Sequence, residues 1–113
     1  MRAKLKRLTQ ETEMTAYSVL EVTPENEDWI EDYLPTANKV IARHGGKYLA
    51  RTATHEVLEG ENREVGLRIV IEWPSMDAAR AFEDDDEYKP FLETRLANSR
   101  SHHALIEGQD DLS

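Results

Sequence analysis

His44-Gly45-Gly46-Lys47-Tyr48-Leu49-Ala50-Arg51-Thr52-Ala53-Thr54-His55-Glu56-Val57-Leu58-Glu59-Gly60 joins two kinds of periodicity. Before it, apolar residues recur at helical spacing; after its glycine pair, strand formers take over. Gly45-Gly46 suits a helix stop, because glycine accepts the left-handed backbone that ends a helix. Lys47 to Ala53 reads as a strand carrying Lys47, Tyr48 and Arg51. Thr54 to Leu58 either continues it after a bend or starts a short new strand. The six residues from Glu59 to Glu64 form a turn.

Upstream, Ala16 to Val22 is rich in strand formers, and Thr23-Pro24-Glu25-Asn26 breaks it with helix-start chemistry. From Glu27 to His44, residues Trp29, Ile30, Tyr33, Leu34, Ala37, Val40 and Ile41 form one helical stripe. Pro35 lies inside it and predicts a kink or a broken first half. Downstream, Leu67 to Trp73 is the clearest strand. Leu67, Ile69, Ile71 and Trp73 share one face, and Arg68, Val70 and Glu72 share the other. Ser75 is placed to cap a helix over Met76 to Glu83. Asp84-Asp85-Asp86 interrupts, with Asp86 as cap for a further helix whose stripe is Tyr88, Phe91, Leu92, Arg95 and Leu96. Ser101 to Glu107 is the last strand.

The order is β-α-β-β-α-β, and helices on one face of an antiparallel sheet give a ferredoxin-like α+β fold. The expected domain spans 16–108, after a polar extension over 1–15 and before a tail over 109–113. The sheet face that carries Val70 has no helix to cover it. Two sheets packed face to face would bury it, which predicts a homodimer.

The chain has 113 residues, 14 basic and 23 acidic side chains, and a net charge of −9. Four of the basic residues, Arg2, Lys4, Lys6 and Arg7, lie in the first seven positions; the remaining 106 residues carry a net −13. Phosphate backbones repel such a body, so no nucleic-acid partner is expected. No apolar run is long enough to span a bilayer, so no membrane association is expected. The basic start is not followed by an apolar segment, and no secretory signal is expected. Cysteine is absent, which excludes disulfides, thiolate metal sites and cysteine nucleophiles and fits a cytoplasmic location.

The segment around His44-Gly45-Gly46-Lys47-Tyr48-Leu49-Ala50-Arg51 resembles the domain of unknown function 1330 family. So do Glu56-Val57-Leu58-Glu59-Gly60, the run Ile71-Glu72-Trp73-Pro74-Ser75-Met76-Asp77-Ala78-Ala79-Arg80-Ala81, then Asp86-Glu87-Tyr88, Arg95 and Ile106-Glu107-Gly108. The resemblance covers about residues 16–108 and implies a dimeric α+β barrel. Thr52-Ala53 stands where the family often has a glycine pair, and Asp84-Asp85-Asp86 is more acidic than usual for it. No general activity is established for the family. Its superfamily includes cofactor-free monooxygenases, lactone isomerases and haem proteins.

Arg95 is the first candidate for chemistry, because a charge on an apolar helical face needs a partner. It grips a substrate carboxylate or enolate, pairs with a strand carboxylate such as Glu72, or snorkels to solvent. Glu72 and Tyr48 are the other catalytic candidates; a buried Glu72 with a raised pKa would be a general base. His44, Tyr48 and Arg51 flank the glycine turn and, with Arg95, are candidate ligands of a small anion. His102 and His103 are adjacent on a strand and point to opposite faces, so no metal site is expected. No cofactor is expected either. Two readings follow. One is a homodimeric small-molecule-binding domain, a cofactor-free enzyme acting on a small carboxylated or enolisable compound. The other is a non-catalytic assembly or stress-linked protein that acts through its dimer surface.

Overall fold

The computed structural model describes residues 14–113, so the basic start of the chain lies outside the described residues. The elements are β1 (Ala16–Pro24), α1 (Ile30–Arg43), β2 (Lys47–Thr52), β3 (Leu67–Trp73), α2 (Met76–Glu83), α3 (Lys89–Ala97) and β4 (Ser99–Glu107). The four strands form one antiparallel sheet in the order β2-β3-β1-β4. This is the ferredoxin-like α+β fold, with the second helical segment split in two.

Alternation along the strands divides the sheet into two faces. Ala16, Ser18, Leu20 and Val22 of β1 and Ile71 and Trp73 of β3 are buried on the helix side. Against them pack Ala37, Val40 and Ile41 of α1, Ala79 and Phe82 of α2, and Tyr88. Trp73 is only 1% exposed and donates its indole N–H to Ser18 Oγ at 2.8 Å. On the other face, Val19 lies in register with both Val70 and Ala104, and Val19 and Ile106 are exposed. No described helix covers that face.

Four local expectations change. Helix α1 runs unbroken through Pro35, but it begins at Ile30 rather than Glu27. Pro35 and Glu31 are both exposed, so water can take the bond that proline cannot donate. No strand follows β2. Thr52 Oγ1 accepts the Thr54 N–H at 2.9 Å and turns the chain into an irregular loop. Asp85, not Asp86, organises the entry to α3. Its carbonyl accepts the N–H groups of Tyr88 and Lys89, and its Oδ1 accepts that of Glu87 at 2.9 Å. Leu96 is exposed, so the buried stripe of α3 narrows to Phe91, Leu92 and Arg95.

Asp85 also locks α3's entry turn to the end of α1. His44 Nε2 meets Asp85 Oδ2 at 2.8 Å, Arg43 reaches both Asp85 and Glu87, and Lys39 pairs with Glu87. The His44 hydrogen bond is the main cause holding the Asp85 carboxyl down at about 2, against an ordinary value of 3.8. A depressed carboxyl stabilises the fold above its unfolded value and loses that contribution as pH falls through its folded value. Thermal melts of the wild type are therefore expected to weaken between about pH 4 and 2, and Asp85→Asn to flatten that part of the acid limb. An unchanged acid limb would mean that this cluster does not hold the two helices.

Candidate functional site

A cavity of about 80 Å³ lies between the helix side of the sheet and the helices. Its walls are mainly apolar, with Leu20, Ile69 and Ile71 from the sheet and Trp29, Leu34 and Phe82 from the helical layer. A few polar groups converge on it: Tyr33, Tyr48, Arg51, Glu83, Tyr88, Arg95 and His103. Sparse polar groups in an apolar concavity are the usual make-up of a ligand site.

Tyr48 and Arg51 reach this cavity through a β-bulge. Tyr48 pairs with Ile71 and Arg51 with Ile69, both on the helix side, because the register shifts between Tyr48 and Ala50. Strict alternation would have put residues three apart on opposite faces. The Arg51 guanidinium stacks on the Tyr48 ring, 3.9 Å from its centroid, and donates to Asn38 Oδ1 at 3.0 Å. Burial pushes the Tyr48 hydroxyl pKa up, and the Arg51 charge pulls against that.

Arg95 is 4% exposed. Its Nη1 donates to Ser101 Oγ at 2.9 Å, and its Nε–H has no partner. Among the described residues no carboxylate lies within ion-pair distance of it. Burial works against its charge, but the oxygens of Tyr33 and Tyr88 outweigh that and raise its pKa, so the guanidinium stays charged. Those two hydroxyls are 2.7 Å apart, and burial pushes the Tyr88 phenol upward. A buried donor left unmet is expensive.

The sequence candidates separate. Tyr48, Arg51 and Arg95 line one cavity. Glu72 sits in register with Tyr17 and Lys47 on the open face of the sheet, away from Arg95. It is neither the ion-pair partner of Arg95 nor a wall of the cavity. His44 caps α1 and pairs with Asp85, outside the cavity walls.

Glu83 and His103 were not among the candidates, yet both line the cavity. Glu83 Oε2 is buried with no hydrogen-bond partner. Burial pushes the Glu83 carboxyl up, while the charge of Arg95 draws it back. His103 Nε2 lies 2.8 Å from Ser18 Oγ, and burial and then Arg95 hold its imidazole below the usual histidine range. His103 shares the helix-side face with Leu105 and Ser101, a placement that alternation along β4 could have given. His102 points to the opposite face. Among the described residues, no group of three histidines and carboxylates is arranged to hold a metal ion, and no helix is long and apolar enough to cross a membrane.

No curated protein matches this chain. Several solved structures share its fold. RPA0582 from Rhodopseudomonas palustris, a protein of unknown function, is 16% identical, with 96% of this chain and 93% of that one covered and a TM-score of 0.70. SnoaB from Streptomyces nogalater, a cofactor-independent oxygenase, is 20% identical, with 88% and 97% covered and a TM-score of 0.60. At such identities the likeness is one of fold. The family described as Domain of unknown function (DUF1330) matches residues 15–109, nearly the whole described chain, and this protein belongs to it.

Proposed function

We propose that this chain is a homodimeric small-molecule-binding domain. Its cavity holds a small carboxylated or enolisable compound with an oxyanion on Arg95, and it acts as a cofactor-free enzyme of the monooxygenase or isomerase kind. The observation that carries this reading is Arg95: 4% exposed, without an ion-pair partner among the described residues, with an unmet Nε–H buried in the wall of a mainly apolar cavity that its side chain helps to line. The cavity volume limits the ligand. At about 10–15 Å³ for one water, 80 Å³ admits roughly five to eight non-hydrogen atoms. A fold relative that is a cofactor-independent oxygenase gives the scaffold a precedent for such chemistry.

Titration calorimetry with 2-oxobutyrate, an acid that is carboxylated, enolisable and of this size, is expected to give saturable binding. No heat and no thermal shift with 2-oxobutyrate, pyruvate or acetoacetate would overturn the ligand assignment.

The open sheet face supports the dimer. Val19, Val70 and Ala104 lie side by side there, with Tyr17 and Ile106 in the next row. Light scattering at micromolar concentration is expected to give twice the 13.0 kDa chain mass, and Val19→Lys to give the single chain. A wild-type monomer would refute the pairing.

A further inference from the structure

Glu83 and His103 stand between two spaces. On one side is the cavity that contains Arg95. On the other is an outer groove of about 310 Å³ between α2 and β4, lined also by Ala79, Arg80, Asp84 and Leu105. Glu83 and His103 are the two described residues that line both. A titratable pair in that position can exchange a proton with a buried ligand on one side and with water on the other.

The hydrogen-bond chain behind the pair fixes its polarity. The Trp73 indole N–H can only donate, and it donates to Ser18 Oγ. Ser18 is fully buried, so its own hydrogen needs an acceptor, and His103 Nε2 at 2.8 Å is in place to be one. Neutral His103 then carries its proton on Nδ1, which lies 3.9 Å from Glu83 Oε2. That oxygen is the buried atom without a hydrogen-bond partner. The groups acting on Glu83 are Arg95 from α3, His103 from β4, and Arg80 and Asp84 around the outer groove.

We infer that Glu83 is the general base of the cavity and that His103 is its positioning residue. The inference rests on the ligand site proposed above. The Glu83 carboxylate takes a proton from the carbon next to the ligand's carbonyl. The C–H electron pair becomes a carbon–carbon double bond, and the carbonyl π pair moves to oxygen as an enolate beside Arg95. The proton leaves Glu83 for water in the outer groove, and reprotonation at carbon reverses the step. No electrons leave the ligand, so no oxidant is needed. A carboxyl raised by burial is suited to this work near neutral pH, because it is basic enough to accept the proton.

The test is loss of the proton signal at C3 of 2-oxobutyrate in D₂O, followed by NMR. The wild type is expected to accelerate exchange over buffer. Glu83→Gln is expected to lose about 100-fold of that acceleration or more, with affinity within about twofold of wild type. His103→Phe is expected to lose less and to move the pH–rate profile upward, since the carboxylate loses the nearby N–H. Binding without accelerated exchange, or a Glu83→Gln variant as fast as wild type, would overturn the assignment. Absence of binding would count against the ligand site instead. The assignment is then judged without ligand, by carbon NMR of the Glu83 carboxyl. Titration above the ordinary glutamate range, rising further in His103→Phe, supports it; an ordinary midpoint unmoved by that substitution overturns it.

Discussion

Arg95→Met is expected to raise the thermal stability of the protein and to weaken binding of 2-oxobutyrate about 10- to 100-fold. The two effects have one cause. Ser101 and the oxygens of Tyr33 and Tyr88 hold the charge of this guanidinium, 4% exposed, but its Nε–H stays unmet, and that is a cost methionine does not carry. Methionine keeps much of the side-chain volume and has nothing to desolvate. By analogy with buried ion groups replaced by apolar ones, the gain is about 1 kcal/mol or more, a rise of roughly 4 °C in melting temperature. A charge-assisted hydrogen bond to a ligand is worth about 1.5–3 kcal/mol, so affinity should fall about 10- to 100-fold. Arg95→Ala should weaken binding similarly, but with lower stability, because it removes the packed aliphatic stem. A methionine variant that melts lower and still binds the acid would make Arg95 a structural residue.

Trp73→Ala is expected to bring the protein close to unfolding at 25 °C. Trp73 is 1% exposed, packs against Phe82 with ring centroids 5.2 Å apart, and holds Ser18 through its indole N–H. Removing a buried tryptophan costs about 3–5 kcal/mol, against a total stability on the order of 5–15 kcal/mol. Gly46→Ala attacks the same contact from the other side. A Cβ there would lie 2.6 Å from Trp73 Cζ3 and 2.7 Å from Ile41 Cγ2, and such overpacking costs about 1–3 kcal/mol. Because the two residues touch, their losses in urea denaturation should be less than additive when combined. A Trp73→Ala variant within about 1 kcal/mol of wild type would mean that this junction does not anchor the sheet to the helices.

Much of the fold was legible in the residue order. The period-two run Leu67–Trp73 and the helical stripe ending at His44 depend on local geometry, which a sequence carries directly. The extent of α1 and the identity of the α3 cap were less legible. Pro35 is tolerated because water reaches Glu31, and Asp85 displaces Asp86 because it also meets His44 from another element.

The site was legible only in part. Arg95 stood out because a charge on an apolar stripe is anomalous wherever the helix packs. Glu72, a strand carboxylate, is a candidate partner for it, although alternation already sets Glu72 beside Val70 on the face without a helix, and the strand register keeps it there, away from Arg95. Glu83 ended a short helix and His103 looked like half of a histidine pair; neither had a local signature of a cavity wall.

The sequence by itself determined the alternation, the helix stop at Gly45-Gly46, the order of elements and the family, because each rests on residues near one another in the chain. Tertiary structure alone decided that Tyr48 and Arg51 share a face, that Glu83, Arg95 and His103 line one cavity, and that Arg95 lacks an ion-pair partner among the described residues. Those outcomes depend on a bulge and on the packing of α2, α3 and β4 against one another. Distances between elements are set by how the layers close, and no spacing within one element encodes them.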